Sequence, residues 1–402
     1  MIDDVVIVGG GPVGAALGTA LRRAGRWRVV LIEREVPAGS ASDRDGRVVA
    51  LSRSSEQLLV EAGIWSRLTG EALAPHPYER MHVWPERGEA RGSGSLTFDA
   101  AELAEPNLGH IVGYDALQRA GLAAFVEAGG ELQTETLIDL TFEADDVCVR
   151  TATAEHRARL VVGADGARSR VREAAGLGLE REDYGQLGLV ARVRGSRSHE
   201  NTAWQRFLGE GTLALLPLAD GSSSIVWSVP RERAEAMLRL DAEAFSQALT
   251  VASDGVLGTL VLEGARSVFP LRRAAAPHYV RERCALLGDA AHVVHPLAGQ
   301  GVNLGFGDAA ALLENLLEAR RTREDLGALR ILRRYERARK GENESMGLAM
   351  DLLNRFVAFG RDTPGEWAQR GLGFVGQSAL LRRLFASRAL GISSGGRSSP
   401  HK

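Results

Sequence analysis

Cysteine is nearly absent from this 402-residue chain. Cys148 and Cys284 stand far apart in no CxxC or Cys/His spacing, which argues against a disulfide framework or a zinc site and fits a reducing compartment. Net charge is equally scarce. A formal charge of -2 and a pI near 6.5 leave no basic excess to displace counterions, so nucleic acid is not an expected partner. Charges interrupt every apolar run before it reaches the ~20 residues that a bilayer span needs. The Met-Ile-Asp-Asp start lacks the basic beginning and longer apolar stretch of a secretory signal, so the mature chain is expected to begin here and any membrane contact to be peripheral. Internal repeats are missing too.

What is present is enough to fold: 45% of the residues are hydrophobic and 25% charged. The length exceeds the size at which one core usually stops growing, about 250–300 residues, which favours two intertwined domains. Val5–Val8 reads as a buried strand, Pro12–Ala24 as a helix and Val29–Ile32 as a second parallel strand, together a βαβ unit. Residues 75–110 turn irregular around Pro75, Pro77 and Pro85, before Tyr114–Ala128 resumes helical character and Leu160–Val162 adds a buried strand. From 183 to 270 the pattern is strand-like, as in Leu213–Leu218 and Ser224–Val229, interrupted by a charged helix from Arg231 to Thr250. Cys284–Leu287 then returns to a strand, followed by the helix Asp308–Arg320. These alternations divide the chain into a nucleotide domain (1–74, 111–182 and 271–345), an inserted substrate domain (75–110 and 183–270), a C-terminal helical region (346–392) and a disordered tail (393–402).

Gly9, Gly11 and Gly14 form G-x-G-x-x-G after a strand and at the start of a helix, the context that makes this pattern informative. The first glycine allows the tight turn, the second the approach of a pyrophosphate, and the third close helix–strand packing. Glu33 ends the next strand, where a carboxylate bonds a ribose hydroxyl. Gly9, Gly11, Pro12, Val13, Gly14, Glu33 and Arg34 are therefore the candidate dinucleotide contacts. Gly371, Gly373 and Gly376 match the same pattern with neither a preceding strand nor a downstream acid, and read as helix-breaking glycines. A second nucleotide has no fingerprint of its own.

Two further motifs follow. Val161-Val162-Gly163-Ala164-Asp165-Gly166-Ala167-Arg168-Ser169 carries a strand into a helix through a sharp turn, and by itself fits a helix capped by Asp165. Leu287-Gly288-Asp289-Ala290-Ala291-His292 leads into Pro296-Leu297-Ala298-Gly299-Gln300-Gly301-Val302-Asn303. There small residues let backbone N–H groups crowd a flat ring, with a helix N-terminus aimed at it.

Three motifs in this order resemble the para-hydroxybenzoate hydroxylase class of flavoprotein monooxygenases. Arg47–Ser52, Arg80–Trp84, Phe98–Ala100, Asn107–Ile111, Phe269–Leu271 and Arg334–Arg337 extend the likeness to the ubiquinone-biosynthesis FAD-dependent hydroxylase family, of UbiH/UbiF/UbiI type, from residue 5 to about 350. The resemblance implies an α/β fold: a Rossmann-type FAD-binding domain with an inserted α+β substrate domain and a C-terminal helical region. It implies FAD as cofactor, NADPH or NADH and O2 as co-substrates, and ring hydroxylation of a prenylated phenol through a flavin C4a-hydroperoxide. Arg47 and Gln118 would contact FAD, Asp289 its ribitol, and Pro296, Gly299, Gln300, Gly301, Val302 and Asn303 would border the isoalloxazine. Asp165 and Arg168 would meet the nicotinamide nucleotide. Tyr114-Asp115 departs from the family's Asn-Arg, which leaves the polar contacts beside Gln118 open.

For the catalytic step FAD carries the hard chemistry. His292 and His295 read first as loop-fixing histidines and second as general bases. For the small hydrophobic aromatic substrate, Arg206, Leu215, Pro217 and Trp227 are the candidate contacts, with Leu213–Leu218, Trp204 and Phe207 as the wall. No metal is expected. The arginine-rich, apolar segment after Glu366 reads as packing on its own domain, with an anionic membrane face or another ubiquinone-biosynthesis protein as the alternative. Such a protein would be cytoplasmic, at most peripheral to the membrane's inner face. The competing readings are a soluble-phenol hydroxylase of salicylate type, a polyprenyl reductase and a non-enzymatic FAD-binding protein.

Overall fold

The computed structural model describes residues 2–37, 47–71, 73–92, 94–294 and 301–359, with side chains through Ser345 in the last helix. The expected C-terminal region from 360 to 392 and the tail 393–402 lie outside the described residues. Three sheets organise the rest. The first runs Val280–Arg281, Cys284–Leu286, Glu155–Gly163, Asp3–Val8, Val29–Glu33, Glu131–Thr134, and its core is parallel. Its central strand is covered on both faces, which is why Val5, Val6 and Ile7 form an unbroken apolar run with 0% exposure. The helices Pro12–Arg23, Tyr114–Glu127 and Gly301–Arg321 contribute Leu17, Phe125 and Leu312 to the same core.

The second sheet has eight strands: His292–Val293, Leu260–Ala275, Glu180–Gly195, Ser223–Pro230, Gly211–Pro217, Thr202–Leu208, Arg80–Pro85 and Leu96–Asp99. Leu260–Ala275 and Glu180–Gly195 are 16 residues each and pair along most of that length. One end of this pair lies under two helices, and the other joins His292–Val293 beside the third sequence motif. A small third sheet, Val48–Leu51, Gly109–Gly113 and His76–Tyr78, lies between the two larger ones in the chain's path.

Residues 75–110 are more regular than their prolines suggest. Pro77 occupies an edge strand and Pro85 a strand end, positions where a missing N–H costs no ladder bond. The charged helix expected from Arg231 to Thr250 is two helices, Arg231–Arg239 and Ala242–Ala252. Asp241 breaks them, its side chain accepting from the Ala244 N–H at 2.7 Å as an N-cap. The helix expected at Asp308 starts at Gly301, a full two turns earlier. These helices seal one face of the second sheet through Met237, Phe245 and Leu249. Phe245 is fully buried, so Phe245→Ala should cost about 3–5 kcal/mol of unfolding free energy in urea titrations, as large-to-small core changes do.

Candidate active site

The glycine motif sits where the parallel strands end. Gly9 has φ +108°, and a Cβ there would lie 2.2 Å from the Ala164 carbonyl oxygen. The Ala164 N–H in turn donates to Val8 at 2.7 Å, so the first and second motifs are packed backbone against backbone. A Cβ on Gly14 would lie 2.0 Å from the Gly9 carbonyl. Gly9 and Gly14 are therefore demanded by the fold itself. Gly11 is different: a Cβ there would meet nothing nearer than the Tyr114 hydroxyl at 3.5 Å. The protein's own packing leaves this glycine free, at the N-cap of a helix that has Pro12 in its first turn and no side-chain cap. Open space before uncapped N–H groups is the geometry of a phosphate site.

The other side chains close around this space. Glu33 ends its strand with its carboxylate accepting from the Gly10 N–H at 2.5 Å and the Glu35 N–H at 3.0 Å, which leaves acceptor capacity for a hydroxyl. Gly10 was not singled out in the sequence, although a Cβ on it would lie 2.9 Å from Glu33 Cβ. Val13 packs its methyls against Gly305 and Gly288, joining the first helix to the third motif. Arg34 is exposed beyond the strand end. Arg47 lies over the Tyr114 ring, 4.2 Å from Cζ to centroid, and Gln118 is one helical turn further on the same face.

Asp289 stands on a short 3-10 turn, Gly288–Ala290, and is open to solvent although protein surrounds it deeply, so it lines a cleft. Burial raises its pKa, with His292 and Arg47 opposing. The turn is anchored from below by Asp308, whose side chain has 0% exposure. Asp308 Oδ2 accepts from the Gly288 N–H at 3.0 Å and from His292 Nε2 at 2.6 Å, and Oδ1 from Arg339 Nε at 2.9 Å and Asn343 Nδ2 at 3.0 Å. Burial pushes this carboxyl up, but His292, Arg339 and Asn343 outweigh it and hold its pKa below the ordinary value. His292 is thus tied into a buried pair, as a loop-fixing residue is. His295, Pro296, Gly299 and Gln300 fall outside the described residues.

Other assignments shift. The Asn303 side chain is anchored within the protein, accepting from the Ser52 N–H at 2.9 Å and Ser55 Oγ at 2.8 Å and donating to the Ala50 carbonyl at 2.8 Å, which fixes the start of the helix Gly301–Arg321. Gly301 has open space around it and Val302 packs on the core. Asp165 Oδ2 accepts from the N–H groups of Arg170 at 2.7 Å and Val171 at 3.2 Å, which holds the start of the helix Arg170–Ala174. Its Oδ1 is buried without a protein partner among the described residues. Arg168 is exposed beside a cavity of about 330 Å³ that Arg172 and Arg181 also line. Arg172, unnoticed in the sequence, is buried and donates to the Ala290 carbonyl at 2.8 Å, tying the second motif to the third.

The substrate candidates need the clearest correction. In the second sheet Leu215 faces Trp204, and Trp227 faces Leu213 and Leu189 across the ladder, so all of them share one face. That face is the one under the helices, where Leu215 and Trp227 pack with Phe245 and Leu249. Arg206 lies on it too, buried, donating to the Glu86, Val251 and Ala252 carbonyls at 2.9, 3.3 and 3.0 Å. Pro217 shares its parity at the strand end. The opposite face presents Leu216, which packs with Leu218 against Val48, Ala50 and Ile111 of the third sheet, and Phe207, which packs with Val83 and Leu96.

One cleft with a glycine-lined helix N-terminus, a strand-end carboxylate and a third turn presenting Asp289 defines a dinucleotide-binding protein whose fold carries a second, sheet-built domain. A family model described as an FAD binding domain matches residues 3–346, and the chain belongs to that family, the flavoprotein hydroxylases. It is 34% identical to the 3-demethoxyubiquinol 3-hydroxylase of Escherichia coli (strain K12) over 97% of this chain and 98% of that one. It is 37% identical to the ubiquinone hydroxylase UbiL of Rhodospirillum rubrum over 97% and 90% of the two chains. Among solved structures, p-nitrophenol 4-monooxygenase PnpA from Pseudomonas putida DLL-E4 shares the fold at TM-score 0.76 and 19% identity over 97% of this chain and 98% of that one. PqsL of P. aeruginosa does so at 0.76 and 23% over 94% and 100%. The chain is an FAD-dependent aromatic monooxygenase with NAD(P)H and O2 as co-substrates.

Two outcomes follow from this geometry. Gly11→Val should leave the chain folded but abolish FAD retention, whereas Gly14→Ala should lower the melting temperature of the flavin-free chain as well. Absorbance of bound flavin and thermal melts, read together, separate the two. Asp308→Asn should destabilise by about 3 kcal/mol at pH 7, because it leaves the buried Arg339 guanidinium with only the exposed Glu342 as a carboxylate partner among the described residues. A depressed carboxyl stabilises above its unfolded value, about pH 3.9, and that contribution is lost as pH falls through the lower folded value. The gap between parent and variant should therefore narrow in denaturation curves taken at progressively lower pH below 3.9.

Proposed function

We propose that this chain hydroxylates the aromatic ring of a prenylated phenol in ubiquinone biosynthesis. The observation that carries this reading is the 34% and 37% identity, over nearly the whole chain, to two ubiquinone-pathway hydroxylases. The cofactor cleft fits FAD: Gly11, on which packing among the described residues makes no demand, stands before an uncapped helix, with carboxylates at the two places where hydroxyls would need acceptors. Gly11 and the Pro12–Arg23 N-terminus take the pyrophosphate, Glu33 the adenosine ribose, Arg47 and Gln118 the linker, and Asp289 the ribitol. Asp165 and Arg168 stand at the approach of the nicotinamide nucleotide. Bound FAD supplies hydride acceptance from NAD(P)H and activation of O2.

The remaining task of the protein is to hold the ring and keep water away, since bulk water would divert the activated oxygen. Leu216, on the sheet face turned towards Val48–Leu51, is part of the apolar wall for the ring, with Ala214 and Val226 beside it on the same face. Of the strand Leu213–Leu218 expected as the wall, this takes the face of Leu216, while the expected contacts Leu215 and Trp227 lie under the helices. A prenyl tail continues along apolar surface between the two larger sheets or out to a lipid face. Among the described residues no helix is long and apolar enough to cross a membrane. We place the protein in the cytoplasm, meeting the inner membrane face or other ubiquinone-pathway proteins peripherally.

A short-chain prenylphenol should stimulate both NAD(P)H oxidation and formation of a hydroxylated product, followed by oxygen uptake and mass spectrometry, whereas 4-hydroxybenzoate should not. Deleting the gene should make a hydroxylation-deficient quinone precursor accumulate. Unchanged quinone content together with tightly coupled turnover of a small soluble phenol would exclude the ubiquinone role and leave the monooxygenase assignment standing.

A further inference from the structure

The nucleotide cleft has a second wall that the glycine motif does not account for. Across from Gly11 the helix Tyr114–Glu127 begins after Gly113, which gives no side-chain cap. Its first residue places a phenolic oxygen 3.5 Å from where a Cβ on Gly11 would stand, so two helix N-termini with no side-chain cap share one space. Each of these ends carries partial positive charge.

The charges around this space are poorly balanced for a dianion. Glu33, Asp289 and Asp115 all act on the Tyr114 phenol, against the single guanidinium of Arg47 that lies over its ring. Among the described residues that act on this phenol the carboxylates outnumber the cation, and donors that carry no counter-charge contribute to holding a phosphate. Tyr114 is such a donor. Its hydroxyl makes no hydrogen bond among the described residues, while the rest of the side chain is packed on the core. Burial raises its pKa and the carboxylates add to this, with Arg47 opposing, so the hydroxyl keeps its proton.

We infer that the Tyr114 hydroxyl donates a hydrogen bond to the FAD pyrophosphate, and that its ring carries Arg47 to the same phosphates. This rests on the FAD assignment. The Arg47 carbonyl accepts the Tyr114 N–H at 2.9 Å, so backbone and side chain of the two residues are fixed to each other and act as one element. Gln118, a turn later on the same helix face, then lies towards the linker. The position at which this sequence leaves the family pattern thereby acquires a specific task.

Tyr114→Phe in the full-length chain keeps the ring and the Arg47 contact and removes only the donor. The dissociation constant for FAD, from flavin fluorescence, and for ADP, from competition, should each rise about tenfold, the low end for a hydrogen bond to a charged group. Riboflavin affinity should not change, and a pyrophosphate resonance in the phosphorus-31 spectrum of bound FAD should shift. Melting temperatures of the flavin-free chains show whether the fold has suffered, and the phosphorus spectrum reads the contact directly if it has. Unchanged FAD and ADP affinities with an unshifted spectrum overturn the inference. So does a loss seen for FAD and riboflavin but not ADP, which would put the hydroxyl at the flavin end. If the parent chain itself binds no FAD, the cofactor assignment fails instead.

Discussion

A single buried carboxylate governs how the cofactor cleft is assembled. Asp308 has no contact with solvent, and each of its oxygens accepts two hydrogen bonds, from groups on two other pieces of chain. A buried ion costs several kcal/mol to desolvate unless such partners surround it, so the pieces hold one another in place. Gly301–Arg321 carries the carboxylate, Leu329–Phe359 brings Arg339 and Asn343, and the turn at Gly288 supplies an N–H and His292. Asp289, the residue next to that N–H, faces the cleft only because the turn is pinned. Arg172 adds a second pin from the other side through the Ala290 carbonyl. The cleft is thus a product of long-range polar contacts laid over an apolar α/β core.

Sequence patterns made much of this core readable, because they are local. The run Val5–Val8, the glycines after it and the acid ending the next strand encode strand, turn and helix within about thirty residues, and the structure has them as strand Asp3–Val8 and helix Pro12–Arg23. Parity in the second sheet was not readable in the same way. Gly211–Pro217 is apolar on both faces, Leu213 and Leu215 to one side and Leu216 to the other, so nothing in its composition says which face the helices take. Leu215 and Trp227, expected as substrate contacts, fall on the face that the helices cover, and a shift of one residue along a strand reverses every side chain. The Asp308 network was hidden for another reason. Its partners are 16 to 35 positions away, and an aspartate inside an amphipathic helix looks like a solvated one until the neighbouring helix is placed.

Glycine shows the same contrast between local and imposed need. Gly9 and Gly14 are required by backbone packed directly against them, that of Ala164 and of Gly9 respectively. Gly11 has no such internal reason, and that lack of reason is what marks it as facing a ligand. Asn303 shows the converse: a polar residue in a ligand-binding motif whose side chain is bonded to Ala50, Ser52 and Ser55 has a task in the scaffold. The test that separates the two is whether the protein's own atoms already account for the residue.

The wide separation of the cleft's parts along the chain has a consequence for biogenesis. The glycine turn at Gly9–Gly14 is synthesised well before Asp289, its anchor Asp308 and the Arg339 that pairs with that anchor, which follow it by more than 270 residues. Domains form from the N-terminus as synthesis proceeds, at about 5–20 residues per second. For tens of seconds a nascent chain therefore exposes half a cleft, able to meet one end of a dinucleotide and unable to enclose it. Enclosure of the cofactor therefore waits for the helix Leu329–Phe359, which docks and closes the turn from behind.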